Sequence, residues 1–166
     1  KNFGNLDIPH GERKNYRKIC YFLGVMLNAR GERFVDEGIN FRNYTYAQFG
    51  RAVLEQPGHF AWQIFDKKVM DLLYGEYHFH DAFYVEADSL DALVAKLDDV
   101  DQAAALQTLQ AYNQAVDQST PFDPTVLDGR GTIGLSLAKS NWAQMIDTPP
   151  YRAYPVTGGI TSTGTG

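Results

Sequence analysis

The sequence predicts an α+β domain in which a small mixed or antiparallel sheet packs against helices. Short runs of β-branched and aromatic residues have the pattern of strands, whereas other segments repeat apolar residues every three or four positions, as amphipathic helices do. The surest parts are a hairpin at residues 22–35 and a pair of helices at residues 89–116. With 166 residues, 44% of them hydrophobic, the chain suits one domain with its own core.

The hairpin is predicted from an apolar run that ends in a tight turn. Residues 19–28 form its first strand, the NARG sequence at 28–31 forms the turn, and residues 32–35 form the second strand. Gly31 supplies the backbone freedom that such turns require.

Charged residues follow one another closely around and after this hairpin. Asp36, Glu37 and Gly38 come first, and Arg42 stands just before the first helix. Core packing alone does not require such a cluster, so we predict that a functional site is positioned here. Adjacent acids before a helix are also common as caps favourable to the helix dipole, and Arg33 is interpreted as one half of a structural ion pair.

Three longer helices are predicted from apolar residues at helical spacing. The first spans residues 44–56 and is stopped by Pro57-Gly58, and the other two span 89–97 and 101–116 as an antiparallel pair. Their predicted buried residues are Tyr46, Phe49 and Val53, then Leu90, Leu93, Val94 and Leu97, then Leu106, Leu109, Tyr112 and Val116.

Strands are predicted at residues 60–65 and 83–86, where aromatic and β-branched residues cluster, with a short helix at 66–73. The C-terminal part of the chain is rich in proline and lacks periodicity. Trp142 is its predicted packing anchor. Residues 151–156 are predicted as an extended segment that returns to the sheet or to a missing domain.

Composition and charge exclude several classes of protein. The net charge of −5 argues against nucleic acid as a partner, because no basic patch would neutralise phosphates. No apolar run approaches the ~20 residues that span a membrane, and the single Cys20 excludes an internal disulfide. We therefore expect a protein of the reducing cytoplasm, in which an anionic substrate is bound by individual arginines.

No sequence in the chain is suited to hold a dinucleotide or a metal. No strand is followed by GxGxxG and a later acidic residue, the pattern that binds a pyrophosphate. His78 and His80 would share one face of a strand, but no third ligand accompanies them, so we interpret them as surface histidines. We expect no cofactor-binding residue and no metal site in this chain.

Three stretches carry a resemblance to a known family. They are NARGERFVDEG at 28–38, FRNYTYAQFGRA at 41–52 and KSNWAQMIDTPPYRAYPVTGGIT at 139–161. The chain resembles the FAD-dependent dehydrogenases of the fumarate reductase and succinate dehydrogenase flavoprotein superfamily, and within it most resembles tricarballylate dehydrogenase. The resemblance covers nearly the whole chain, but it matches only the capping domain, which is inserted into the FAD-binding domain of such enzymes.

The resemblance implies that the chain is a piece of a longer oxidoreductase. Residues 1–156 would be the capping domain that closes over the substrate, and residues 157–166 would return to a missing FAD-binding domain or form a flexible tail. The intact enzyme would use FAD to dehydrogenate or reduce a carbon–carbon bond in a small polycarboxylate such as tricarballylate. The chain alone would be inactive, and the apolar surface that it exposes would make it a candidate for homodimer formation.

The resemblance assigns catalysis to Arg42. In the family, an arginine a few residues past the RFVxE segment donates or accepts the proton while the flavin exchanges a hydride with the neighbouring carbon. Because the pKa of arginine exceeds ~12, Arg42 would need an adjacent carboxylate or a water path. It could instead bind a substrate carboxylate with its guanidinium, or pair with Asp36 or Glu37 to fix a loop. Asp36 and Glu37 would orient Arg42 or carry protons toward it.

Thr161 and Thr163 are the substrate-binding residues that the resemblance implies. They lie in TGGITST, which resembles the family segment that leads from the cap back toward the flavin. The tricarballylate-like branch has threonines there, where fumarate reductases place histidines that bind a substrate carboxylate. Ser162 and the Gly-Thr-Gly ending depart from the family pattern.

Two alternative functions stay open at this point. A ketosteroid-type dehydrogenase of the same superfamily would use tyrosines, here Tyr44, Tyr46 or Tyr154. An apolar steroid would not need Arg42, whereas a polycarboxylate would. A stand-alone binding module would need neither cofactor nor chemistry.

Overall fold

The structure is a computed structural model that describes residues 17–80 and 82–158. Its centre is a four-stranded sheet in which all neighbouring strands are antiparallel, in the order β1-β2-β4-β3. The strands are β1 (Val25–Leu27), β2 (Phe60–Phe65), β3 (Val85–Ala87) and β4 (Tyr151–Thr157). Together with the helices described below, this sheet confirms the predicted α+β fold.

The two central strands, β2 and β4, pair over the whole length of β2. All residues of β2 are buried, including the polar Gln63. The Gln63 side chain donates to the Lys18 carbonyl at 2.8 Å and accepts from the Tyr77 hydroxyl at 2.7 Å, so its burial leaves no polar group unsatisfied. The extended segment predicted at 151–156 is confirmed as a central strand of the sheet.

The predicted hairpin is only half formed. Its turn is present, since the backbone N–H of Gly31 donates to the Asn28 carbonyl at 2.9 Å and Gly31 has a φ of 72°. Of the predicted first strand at residues 19–28, only Val25–Leu27 is a strand, and Tyr21–Leu23 is a 3-10 helix. Residues 32–35 do not form the second strand, and the prediction is wrong there. At the outer edge of β1, Glu37 Oε1 accepts from the backbone N–H of Met26 at 2.8 Å. A buried carboxylate therefore takes the hydrogen bond that a neighbouring strand would make.

The described residues form four α-helices, all of them predicted. They are α1 (Arg42–Leu54), α2 (Lys67–Met70), α3 (Leu90–Val94) and α4 (Gln102–Ala115). Asp66, Ser89 and Asp101 cap the last three, because each side chain accepts a hydrogen bond from a backbone N–H of the first turn. In contrast, α1 begins at Arg42 without a side-chain cap.

The buried face of α1 differs from the predicted face by one position. Thr45 is buried together with Phe49 and Val53, whereas Tyr46 is half-buried. The polar Thr45 can lie inside because its hydroxyl shares a hydrogen bond of 2.6 Å with the Tyr21 hydroxyl. A tertiary partner therefore shifts the buried stripe away from the one that apolar spacing predicts.

Apolar side chains cover both faces of the sheet. One core cluster joins α3 and α4 to the sheet and includes Trp62 and Ile64 of β2. A second cluster includes Phe65 of β2 and Tyr154 of β4. Because successive residues of a strand point to opposite faces, the two clusters lie on opposite sides of the sheet.

The long segment between α4 and β4 has little regular structure but is packed around Trp142. The indole ring is almost fully buried, and its N–H donates to the carbonyls of Asp123 at 3.0 Å and Val126 at 2.8 Å. Its ring centroid lies 5.3 Å from that of Phe22 and 5.5 Å from that of Phe41. The predicted role of Trp142 as a packing anchor is confirmed.

Candidate functional site

Arg42 is the first residue of α1, where the positive end of the helix dipole makes a cation unfavourable. Its guanidinium carbon lies 3.9 Å from the centroid of the Tyr74 ring, a cation–π contact. Within residues 17–80 and 82–158, the side chain forms no ion pair and no hydrogen bond. The guanidinium is therefore held by its face, and its in-plane N–H groups have no acceptor in this part of the chain.

A pocket of about 370 Å³ opens beside Arg42, within the ~300–1,000 Å³ range of small-molecule sites. Two of the lining residues differ in burial: Trp142 is buried, and Tyr44 is 77% exposed. The residues that line the pocket are Phe22, Phe41, Arg42, Asn43, Tyr44, Tyr74, Pro124 and Trp142. The arrangement places one cation among aromatic walls, so it can bind an anionic group while apolar carbon contacts the rings.

Asp36 lies in the loop before α1 and fastens that loop to the irregular segment. Its Oδ1 accepts from the backbone N–H groups of Gly38 and Ser140, both at 2.9 Å, and its Oδ2 accepts from the Ser140 hydroxyl. The Asn141 side chain adds a hydrogen bond of 2.8 Å to the Gly38 carbonyl. Asp36 forms no hydrogen bond and no ion pair with Arg42. It fixes the backbone from which Arg42 follows.

Glu37 forms a buried ion pair with Arg33, which confirms the structural interpretation of Arg33. The Arg33 Nε lies 3.1 Å from Glu37 Oε1, and the two side chains are 5% and 0% exposed. Arg33 Nη1 also donates to the Leu137 carbonyl at 2.8 Å. Glu37 therefore stabilises the loop through contacts in the protein interior. It forms no ion pair with Arg42.

Lys139 is a buried cation that the sequence analysis missed. Its Nζ donates to the Gly24 carbonyl at 2.6 Å, and the residue is fully buried. Burial lowers the pKa of Lys139 to about 8, although the nearby Glu37 carboxylate opposes the shift. A lysine in a segment without periodicity gives no sequence signal of burial, because its surroundings come from distant parts of the chain.

Tyrosines are the residues that a ketosteroid dehydrogenase would use, and the three candidates here do not lie in one site. Tyr44 lines the pocket and Tyr46 is half-buried on another face of α1. Tyr154 lies in the core, where its hydroxyl donates to the Tyr77 carbonyl at 3.3 Å and burial raises its pKa. Of the three, Tyr44 is the one placed beside Arg42.

Thr161 and Thr163 lie outside the described residues, so their substrate-binding role stays a prediction. Tyr74, which stacks on Arg42, was also missed. It follows α2 in a segment without periodicity, and nothing in the sequence relates it to Arg42.

Residues 17–80 and 82–158 contain neither a cluster of metal ligands nor a membrane-spanning helix. That part of the chain holds no group of three or more His, Cys, Asp or Glu side chains able to bind a metal. None of its helices is long and apolar enough to cross a membrane. His78 follows the 3-10 helix Gly75–Tyr77 and does not lie on a strand.

The fold is similar to parts of known oxidoreductases. The open conformation of a flavocytochrome c3 fumarate reductase matches with 24% identity and a TM-score of 0.57, over 82% of this chain and 21% of that chain. A 3-ketosteroid delta1-dehydrogenase from Sterolibacterium denitrificans matches with 27% identity and a TM-score of 0.51, over 82% and 27% of the two chains. The chain thus spans about a fifth to a quarter of the length of these two proteins.

A solution structure of a fumarate reductase flavoprotein subunit from Lactobacillus plantarum has nearly the same extent. It matches with 16% identity and a TM-score of 0.53, over 90% of this chain and 92% of that chain. No family model and no curated protein matches the chain. The predicted resemblance is confirmed at the level of fold, for fumarate reductases and a ketosteroid dehydrogenase alike.

Proposed function

We propose that this chain is the substrate-closing domain of an FAD-dependent oxidoreductase that acts on a carbon–carbon bond next to a carboxylate. The observation that carries the proposal is the Arg42 guanidinium, which stacks on Tyr74 beside an aromatic pocket and has no carboxylate partner in the described residues. The similarity of fold to fumarate reductases supports it. The proposed substrate is a small polycarboxylate such as tricarballylate, as the sequence resemblance suggests.

The residues that the structure describes do not fit an FAD site. The sheet is antiparallel throughout the described residues, and the sequence has no GxGxxG after a strand to receive a pyrophosphate. We therefore assign the cofactor to a domain outside this chain, which is also its proposed partner. The roles of this chain are then to bind, to orient and to exclude water, and the chain alone is inactive.

Arg42 serves to bind a carboxylate of the substrate. A guanidinium presents paired N–H donors in one plane, which match the two oxygens of a carboxylate, and such charged hydrogen bonds are stronger than neutral ones. The cation binds the carboxylate in the open domain, and closure strengthens this interaction because it removes water from around the two charges. Proton transfer through Arg42 would need a carboxylate or a water path beside it, and the described residues provide no such carboxylate.

Asp36 and Glu37 support Arg42 through the backbone. The hydrogen bonds of Asp36 to residue 140 and the ion pair of Glu37 with Arg33 fix both sides of the loop that leads into α1. Thr161 and Thr163 follow the end of β4 in the sequence, and we propose that their hydroxyls bind a second carboxylate of the substrate. Residues 157–166 would connect the closing domain to the FAD-binding domain.

A ketosteroid dehydrogenase is the second candidate function. The aromatic lining of the pocket and the exposed Tyr44 favour it, together with the fold shared with the Sterolibacterium enzyme. A steroid would use the aromatic walls and the Tyr44 hydroxyl, but it would leave Arg42 without an anionic partner. Because Arg42 has no anionic partner within residues 17–80 and 82–158, the carboxylate is the better-supported ligand.

The test uses the gene product that carries this chain, purified and examined by visible absorption. The proposal expects a flavin spectrum that is bleached by tricarballylate or succinate and not by a 3-ketosteroid. Bleaching by the steroid alone would replace the proposal with the second candidate. A colourless product would contradict the oxidoreductase proposal and favour a binding module.

A further inference from the structure

We infer that Tyr74 is a positioning residue for substrate binding, because it holds the Arg42 guanidinium by its face and leaves the guanidinium edge open to a carboxylate of the substrate. The inference rests on the proposed function, since it concerns how the same site receives its anion.

Three described arginines stack on tyrosine rings, and two of them also form an ion pair with a glutamate. In each of these two complete sets, a ring contacts the face of the guanidinium and a carboxylate neutralises its charge. The complete sets are Arg33 with Tyr112 at 5.4 Å and Glu37, and Arg152 with Tyr84 at 4.4 Å and Glu86.

Arg42 on Tyr74 is the third set, with the shortest separation of ring and guanidinium, 3.9 Å. Within residues 17–80 and 82–158, no carboxylate completes it. The guanidinium also borders the pocket, so the open position faces the space where a ligand would lie. We therefore infer that the carboxylate of this third set is supplied by the substrate.

Tyr74 is well supported for such a role. Leu73 before it is buried, and the fully buried Tyr77 after it donates its backbone N–H to the Tyr74 carbonyl at 2.9 Å. The Tyr77 hydroxyl accepts from the Cys20 backbone N–H at 2.9 Å and donates to Gln63 on β2 at 2.7 Å. The backbone of Tyr74 is thus fixed to the sheet, while the residue is 38% exposed and its ring lies against Arg42.

The geometry explains why a ring suits this position better than another acid. A carboxylate from the protein would occupy the same N–H donors that a substrate carboxylate needs, and it would neutralise the charge that attracts the substrate. A ring contacts the face of the guanidinium and leaves all of its in-plane donors available. Tyr74 therefore limits the freedom of a long side chain without competing for its hydrogen bonds.

The experiment is a titration of this chain, labelled with ¹⁵N, by tricarballylate. A chain of the same fold and nearly the same length has a solution structure, which supports use of the chain by itself. The side-chain Nε–H signal of Arg42 is identified by its disappearance in Arg42→Lys. The variants are Tyr74→Phe, which keeps the ring, Tyr74→Leu and Tyr74→Gln, which remove it, and Tyr84→Leu, which removes the ring of a complete set.

The expected result has two parts. In the wild type, the Tyr74 ring shifts the Arg42 signal upfield, and tricarballylate moves that signal in a saturable way. Tyr74→Phe and Tyr84→Leu bind like the wild type, whereas Tyr74→Leu and Tyr74→Gln lose the upfield shift and bind about two- to fivefold more weakly. Circular dichroism establishes that each variant is folded, and the two ring-free variants serve as replicates of each other.

Two results would overturn the inference, and they differ in what else they overturn. If a folded ring-free variant binds tricarballylate as tightly as the wild type, Tyr74 does not position Arg42, and the proposed function is unaffected. If tricarballylate leaves the Arg42 signal of the wild type unchanged, both the positioning role and the proposed carboxylate-binding role of Arg42 are wrong.

Discussion

Glu37→Gln removes the charge of a fully buried carboxylate that pairs with Arg33 and lies near the buried Lys139, while it changes the side-chain volume little. Arg33 is 5% exposed in its ion pair with Glu37, and Lys139 is fully buried nearby. The glutamine can still accept the hydrogen bond from the Met26 backbone N–H, so the edge of β1 keeps its partner. The substitution therefore removes the charge of the carboxylate together with the Arg33 hydrogen bonds that its Oε2 accepts.

The expected loss is large because the cation of Arg33 stays buried after its partner is neutralised. Breaking a buried ion pair from one side costs about 3–5 kcal/mol in the free energy of unfolding. For a domain of this size, each kcal/mol lowers the melting temperature by about 2–4 °C. We therefore expect Glu37→Gln to melt about 6–20 °C below the wild type.

The chain provides a matched control in Glu55→Gln. Arg51 and Glu55 also stand four residues apart, with an Nε–Oε1 distance of 3.2 Å, but their side chains are 83% and 63% exposed. Pairs of this kind contribute about 0.3–0.5 kcal/mol. Urea and thermal unfolding, followed by circular dichroism, would measure both variants. Equal, small losses in Glu37→Gln and Glu55→Gln would refute the structural role assigned to the buried pair.

Two further predictions concern Lys139 and Gly31. The pKa of Lys139 is about 8 in the folded chain, whereas the ordinary value for a lysine is 10.5. Between these two pH values, Lys139 is more often protonated in the unfolded chain than in the folded one. The free energy of unfolding therefore increases as the pH rises through this range. The unfolding free energy of the wild type relative to Lys139→Met should rise from pH 8 to pH 10 in urea titrations; a flat or falling difference would contradict this. Gly31→Ala should lower the free energy of unfolding by more than about 1 kcal/mol. Gly31 has a φ of 72°, and an added Cβ would lie 2.4 Å from the backbone nitrogen of Ala105. A melting temperature equal to that of the wild type would contradict this prediction.

The fold could largely be predicted from the sequence, because its elements depend on local patterns. The apolar runs of β2 and β4 and the capped helices are visible as spacing and residue type. The absence of the second strand of the hairpin could not be predicted. The Glu37 carboxylate accepts the hydrogen bond of the Met26 backbone N–H, which a second strand would otherwise accept. The burial of Thr45 depended likewise on a hydroxyl partner, Tyr21, from elsewhere in the chain.

The candidate site could be predicted only in part. Arg42 was singled out by its place after an acidic loop and by the family resemblance, and the structure sets it beside a pocket. Its contact with Tyr74 and the burial of Lys139 arise from the tertiary packing of Tyr74 and Lys139, which both lie in segments without a periodic signal. Asp36 and Glu37 were named as supporting residues, but their contacts to Ser140 and Arg33 became visible only in the structure.

The most direct test of the account compares flavin bleaching by tricarballylate in the gene product that carries this chain, in the wild type, Arg42→Ala and Arg51→Ala. Arg51 lies on the same helix with an exposed side chain, so its removal controls for the loss of one positive charge from α1. The account predicts that Arg51→Ala bleaches like the wild type. Arg42→Ala should bleach at least ~30-fold more slowly, because a charged hydrogen-bonded contact of ~2 kcal/mol or more is lost. Bleaching of Arg42→Ala at the rate of the wild type would contradict the assignment of Arg42 to the substrate carboxylate.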